Sequence, residues 1–145
     1  MNKVYQHTQI GYLLLIALGA AILLIISLNL ATGFEWVSLV VLFILAVCMV
    51  IFATMTVKIE AEKLTFYFGP GFFRKQFLLV DIASSRVVKN PWYYGWGIHL
   101  TPSGWLYNVS GCWAVEIQIK DGKKYRLGTD DPAGLIKAIQ QHSPL

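Results

Sequence analysis

Apolar and polar positions divide this chain near residue 58. Residues 10 to 57 contain no Lys, Arg, Asp or His, and Glu35 is their only charge. Around the interruption Ala31-Thr32-Gly33-Phe34-Glu35-Trp36 lie two apolar runs, Ile10–Leu30 and Val37–Val57, of 21 residues each. Each run predicts about 31 Å of helix at 1.5 Å rise per residue, matching the roughly 30 Å of hydrocarbon in a bilayer. The pattern therefore predicts a transmembrane hairpin with helices at about 10–30 and 37–57.

After Val57 the period changes to two. Lys58-Ile59-Glu60-Ala61 leads into a half-buried strand in which Leu64, Phe66 and Phe68 alternate with Thr65 and Tyr67. Gly69-Pro70-Gly71 marks a turn, and Asn90-Pro91 breaks the run that ends at Lys89. Further strands are expected over Gly97–Thr101 and Trp105–Val109. The clearest strand puts Trp113, Val115, Ile117 and Ile119 on one face and Glu116, Gln118 and Lys120 on the other. Asp121-Gly122 matches a two-residue type I′ hairpin, and Lys123–Leu127 returns with Tyr125 and Leu127 inward. Asp131-Pro132 reads as an N-cap followed by proline at the first helical position. Leu135, Ile136 and Ile139 then share one helical face. The expected fold is a membrane α-helical hairpin plus a mainly-β domain, a roll of about seven antiparallel strands closed by a C-terminal α-helix. Residues 1–57 form the tail and hairpin, and residues 58–145 form the β domain.

Composition sharpens this picture in two places. The chain of 145 residues is 56% hydrophobic, but the excess precedes Lys58, leaving a remainder long enough for one small core. Twelve Lys and Arg face eight Asp and Glu, and all but Lys3 and Glu35 fall at or after Lys58. That distribution sets orientation. The connecting turn lacks Lys and Arg, whereas Lys3 and the α-amino group precede the hairpin and Lys58, Lys63, Arg74 and Lys75 follow it. Both termini are expected in the cytoplasm, on the inner face of a cytoplasmic membrane. Tyr12 and Trp36 stand near run ends, where amphipathic rings favour the headgroup region. A cleavable signal peptide fits poorly, since its apolar core would be about twice the usual 7–15 residues.

Little in the chain points to catalysis. Cys48 and Cys112 belong to no CxxC or Cys/His cluster, and His7, His99 and His142 are scattered. No nucleophile elbow, phosphate loop or HExxH spacing occurs. The adjacent pair Asp130-Asp131 is explained by helix capping. No cofactor, metal, nucleic-acid partner or small-molecule substrate is expected, and no enzymatic activity.

The strand series with its closing helix resembles the pleckstrin-homology (PH) fold, and in particular bacterial membrane-anchored proteins in which two helices precede a PH-like domain. The resemblance is carried by Gly95–Leu100, Gly104–Gly111, Ala114–Ile117 and Gly128–Pro132. It implies a tethered binding module or adaptor. The first hairpin, Glu60-Ala61-Glu62-Lys63, is short and acidic where phosphoinositide-binding members carry a long basic loop, and the terminal helix lacks the usual Trp. Inositol-lipid binding is therefore not implied.

Three sets of residues are candidate sites. Trp92, Tyr93, Tyr94 and Trp96, set among Pro and Gly, are a candidate surface for a protein or peptide partner. Burial over the sheet end is the plainer expectation, because each such ring buries about 150–250 Å²; exposure of Trp92 and Tyr93 would reverse it. Arg74, Lys75, Lys124 and Arg126 are candidates for contact with an anionic lipid surface, against the simpler reading of a solvated hairpin. Ala17, Gly19 and Ala21 are candidates for helix packing, within the hairpin or in a homo-oligomer.

Overall fold

The first element is a strand that hydropathy does not announce. In the computed structural model, which describes residues 3–143, Lys3–Ile10 forms β1. The α-amino group invoked for orientation lies outside these residues. Along β1 the more buried positions are Tyr5, His7 and Gln9, alternating with exposed Gln6, Thr8 and Ile10. Polar partners make that burial tolerable. Tyr5 donates to Asp131 Oδ2 at 3.0 Å, His7 meets Asp130, and Gln9 Nε2 donates to the Ser110 carbonyl at 2.7 Å.

After Gly11 come α1, Tyr12–Thr32, and α2, Trp36–Ile51, then β2, Thr54–Glu60. The second helix thus stops six residues before the expected position 57. Thr54-Met55-Thr56-Val57 is apolar enough to extend a helix by composition, but its β-branched residues suit a strand. Met55 and Val57 are core residues, and Thr56 Oγ1 lies 2.9 Å from Thr8 Oγ1. Strands β1 and β2 pair antiparallel from Tyr5↔Ile59 to Ile10↔Thr54. The Gly11 amide donates to the Ala53 carbonyl at 2.8 Å, closing the base of the hairpin.

The two helices meet along a seam. Leu18, Ile22, Ile25 and Asn29 of α1, and Ser38, Leu42, Leu45 and Met49 of α2, recur every three or four residues and are shielded. Far from the β domain, Ser38 Oγ donates to Asn29 Oδ1 at 2.6 Å, and Asn29 Nδ2 donates to the Ile25 carbonyl at 2.7 Å. The outward faces, including Ile16, Leu23, Leu24, Phe43 and Ile44, are exposed. A contiguous apolar surface of this kind requires lipid or protein around it. α1 is long and apolar enough to cross a membrane; α2 is a shorter apolar helix.

Two sheets build the rest. One has the order β1-β2-β3-β4, with β3 at Lys63–Phe68 and β4 at Phe72–Leu78. The other has the order β5-β8-β9-β7-β6. Its strands are β5 Ile82–Lys89, β6 Gly97–Thr101, β7 Gly104–Asn108, β8 Trp113–Ile119 and β9 Lys124–Gly128. Among the described residues, nine strands therefore replace the expected seven or so, in two sheets with no closed barrel, and β7 runs parallel to β9. The core lies between the sheets, where Phe66 meets Tyr107 at 4.6 Å between ring centroids. Helix α3, Pro132–His142, covers one side with Leu135, Ala138 and Ile139 buried, and Asp131 caps it by accepting from the Gly134 amide. Two packed sheets with a C-terminal helix resemble a PH-like arrangement.

The β8–β9 connection differs from the expected turn by one residue. A two-residue turn at Asp121-Gly122 would set Lys120 opposite Lys123, and so Glu116 opposite Leu127. Instead the Ile119 amide donates to the Lys123 carbonyl at 2.9 Å, and Glu116 stands opposite Arg126.

Candidate functional site

Strands β5 and β6 occupy opposite edges of their sheet, so the chain between them must pass three strands. At about 4.8 Å per strand that is about 19 Å, covered by residues 90 to 96. Such a crossing cannot pair regularly, and it is anchored at both ends instead. At the start, the Asn90 amide donates to the Cys112 carbonyl at 2.6 Å, and Asn90 Oδ1 accepts from Arg126 Nη1 at 2.9 Å. At the end, Trp96 Nε1 donates to the Gly111 carbonyl at 3.0 Å, and the His99 ring meets the Trp96 carbonyl. Between the anchors, Pro91 leads into one 3₁₀ turn, Trp92–Tyr94. Gly95 closes it at φ 73°, where a side chain would be strained.

The anchors leave the middle outside. Trp92 is 76% exposed and Tyr93 69%, whereas Tyr94 and Trp96 are half-buried. Trp92 and Tyr93 stand edge to face at 6.0 Å, and Tyr93 and Tyr94 at 5.3 Å. The expectation that these rings close over the sheet as core is not met for the first two. With Asn90 and Trp96 anchored, the 3₁₀ turn between them carries these two rings on its outer side.

Beneath the loop lies a charged cluster that the strand pattern alone does not reveal. Glu116 is 5% exposed and Arg126 8%. Arg126 Nε donates to Glu116 Oε2 at 2.9 Å, and Arg86 Nε to Glu116 Oε1 at 3.0 Å. Burial alone would push the Glu116 carboxyl up; the hydrogen bond and charge of Arg126, then those of Arg86, outweigh it and hold the group below its ordinary value. Arg126 thereby links Glu116 to Asn90, the residue that starts the aromatic loop. The alternation that turns Tyr125 and Leu127 inward does signal that Arg126 faces the other way. Its cover is set by the loop, and its partner by the one-residue register difference.

Comparison with family models, with curated proteins and with solved structures finds no match. The reading of the site therefore rests on its own geometry.

The four basic candidates do not form one patch. Arg74 is exposed, its guanidinium 5.0 Å from the centroid of Tyr67. Lys75 is half-buried with Nζ 4.3 Å above Tyr125. Lys124 is exposed, and Arg126 is the buried partner of Glu116. Of the small residues, Gly19 faces α2, where an added Cβ would meet Met49 Cε at an ordinary 3.7 Å. Ala21 is half-buried and Ala17 is exposed. Among the described residues no group of three or more His, Cys, Asp or Glu is placed to hold a metal ion. What the surface offers is a rigid display of aromatic rings.

Proposed function

We propose that this protein is a two-pass membrane-anchored binding module. It displays the Trp92-Tyr93 surface to a protein or peptide partner from the cytoplasmic side and carries out no catalysis. The observation that carries the reading is the exposure of two large rings on a loop fixed at both ends. Aromatic side chains on rigid backbone give large contact area at low entropic cost, and they dominate the anchoring positions of interfaces. Pairing of β1 with β2 supports the membrane arrangement. Chain that leaves the sheet at Ile10 returns to it at Thr54, so a hairpin that enters the bilayer through α1 must come back through α2. The basic residues from Lys58 onward, against none in the connecting turn, support a cytoplasmic position for that side.

A photo-crosslinking residue at Tyr93 of the full-length protein in cells tests this. One stoichiometric protein adduct, absent when the same probe replaces Glu62 and lost on Trp92→Ala, is expected. Adducts to lipid alone, or equal adducts at both positions, would refute partner binding through this loop.

A further inference from the structure

Helix α2 is short for the layer it would cross. Its 16 residues give about 24 Å, against about 30 Å of hydrocarbon. Apolar height on that side is supplied by the β3–β4 turn. Gly69 holds φ 55°, and an added Cβ there would stand 2.9 Å from the Val50 carbonyl oxygen, so the turn is pressed against the last turn of α2. Phe73 stacks on Phe52 at 6.2 Å. Phe72, with Phe43, Val47, Val50 and Ile51, lines an apolar groove of about 310 Å³ along the flank of the helix. Phe72, the first residue of β4 and paired with Phe68, thus stands at the helix-facing end of its sheet, against the flank of α2.

Both rings are nevertheless open, Phe72 at 46% and Phe73 at 56%. Phe73 also holds φ 52°, a left-handed conformation that bulky side chains rarely adopt. Next along β4 is Arg74, exposed and without an ion-pair partner among the described residues. Apolar rings followed by a cation repeat the order of a leaflet, acyl chains and then phosphate.

We propose that the β3–β4 turn is a phospholipid-binding wedge. Phe72 and Phe73 enter the edge of the hydrocarbon beside α2, an acyl chain occupies the groove, and Arg74 meets the phosphate. The groove is continuous with the lipid-facing flank of α2, which fixes its occupant as lipid. This inference rests on the two-pass reading and is separate from the Trp92-Tyr93 surface. It also orients the β domain, by a second contact with the leaflet besides the helices.

The test uses the full chain with Cys48→Ala and Cys112→Ala, reconstituted in phosphatidylcholine–phosphatidylglycerol vesicles. Single cysteines at Phe72, Pro70, Glu62 and Leu24 carry an environment-sensitive fluorophore, quenched by lipids bearing a nitroxide shallow or deep in the acyl chain. Leu24→Cys should respond to the deep nitroxide, and Phe72→Cys and Pro70→Cys to the shallow one, several-fold more strongly than Glu62→Cys. Pro70 lies at the exposed tip, so it reports even if a change at Phe72 disturbs the turn. Deep quenching at Leu24 with turn positions no different from Glu62 would overturn the wedge and leave the anchor standing. Absence of quenching at Leu24 would remove the anchor and the wedge with it. Arg74→Gln should weaken shallow quenching at Pro70→Cys and Lys124→Gln should not; equal effects would take Arg74 off the phosphate.

Discussion

Replacing Arg126 by Leu should expose how far the aromatic loop depends on the charge beneath it. Arg126 donates both to Glu116, at 2.9 Å, and to Asn90, at 2.9 Å. Without it Glu116 keeps only Arg86, whose side chain is 66% exposed and so screened by solvent. Removing one partner of a buried pair destabilises by about 3–5 kcal/mol. Asn90 Oδ1 would also lose its donor, in a side chain whose Nδ2 already lacks a partner. A stranded buried polar atom costs about 1–3 kcal/mol, but the two losses share one residue and should not add. We expect about 3–5 kcal/mol in all, measured by urea unfolding of the detergent-solubilised protein with tryptophan fluorescence. Limited proteolysis should show earlier cleavage between residues 90 and 96. The double variant Glu116→Met/Arg126→Leu should recover most of the loss, since an apolar pair of similar volume leaves no uncompensated charge. A single-variant loss under about 1 kcal/mol, or a double variant no better than the single, would refute a dry, paired Glu116.

Other outcomes follow from the same geometry. Trp96→Phe removes the bond to the Gly111 carbonyl and should cost about 1 kcal/mol, with faster amide exchange in the loop. Asn29→Ala breaks the Ser38 link across the hairpin. In lipid such bonds average about 0.6 kcal/mol, so steric-trap unfolding in bicelles should show a small loss confined to the helices. The Tyr5 hydroxyl is pushed well above its ordinary 10.0, by burial first and then by its bond to Asp131. Its contribution is complete below pH 10 and is lost progressively as pH rises from there through the higher folded value. The stability advantage of the wild type over Tyr5→Phe should therefore shrink as pH rises above 10, and a difference that does not change with pH would contradict this.

The parts legible in sequence are those in which one local signal suffices. An uninterrupted apolar run announced α1, and Asp131-Pro132 announced the start of α3, because a cap is chemistry within four residues. β1 has no local signal, since half-buried Tyr5 and His7 and buried Gln9 find their partners in Asp131, Asp130 and Ser110, more than 100 positions away. The end of α2 escaped because Met55 and Val57 serve a lipid-facing helix and a sheet core equally well by hydropathy. Exposure of Trp92 and Tyr93 depends on sheet order, which puts the ends of the loop at opposite edges, and on the distant anchors of Asn90 and Trp96. The Glu116–Arg126 pair depended on a turn one residue longer than the dipeptide suggests.

Pairing of β1 with β2 has a consequence for the birth of the protein. β1 is synthesised before β2, its neighbour in the sheet, which follows only after both apolar helices have been made. Ile10 and Thr54 are partners separated by both apolar helices. The sheet can close only once α1 and α2 have returned the chain to its starting side, so a mis-inserted hairpin would leave the β domain without its first strand. Under the proposed two-pass arrangement, closure of the sheet would thereby proofread insertion into the membrane. In the same terms the hairpin is a very long β-turn. A short loop joining Ile10 to Thr54 should preserve the sheet, whereas a fragment cut at Lys58 would discard β1 and half of β2 and bare the hydrogen-bonding edge of β3.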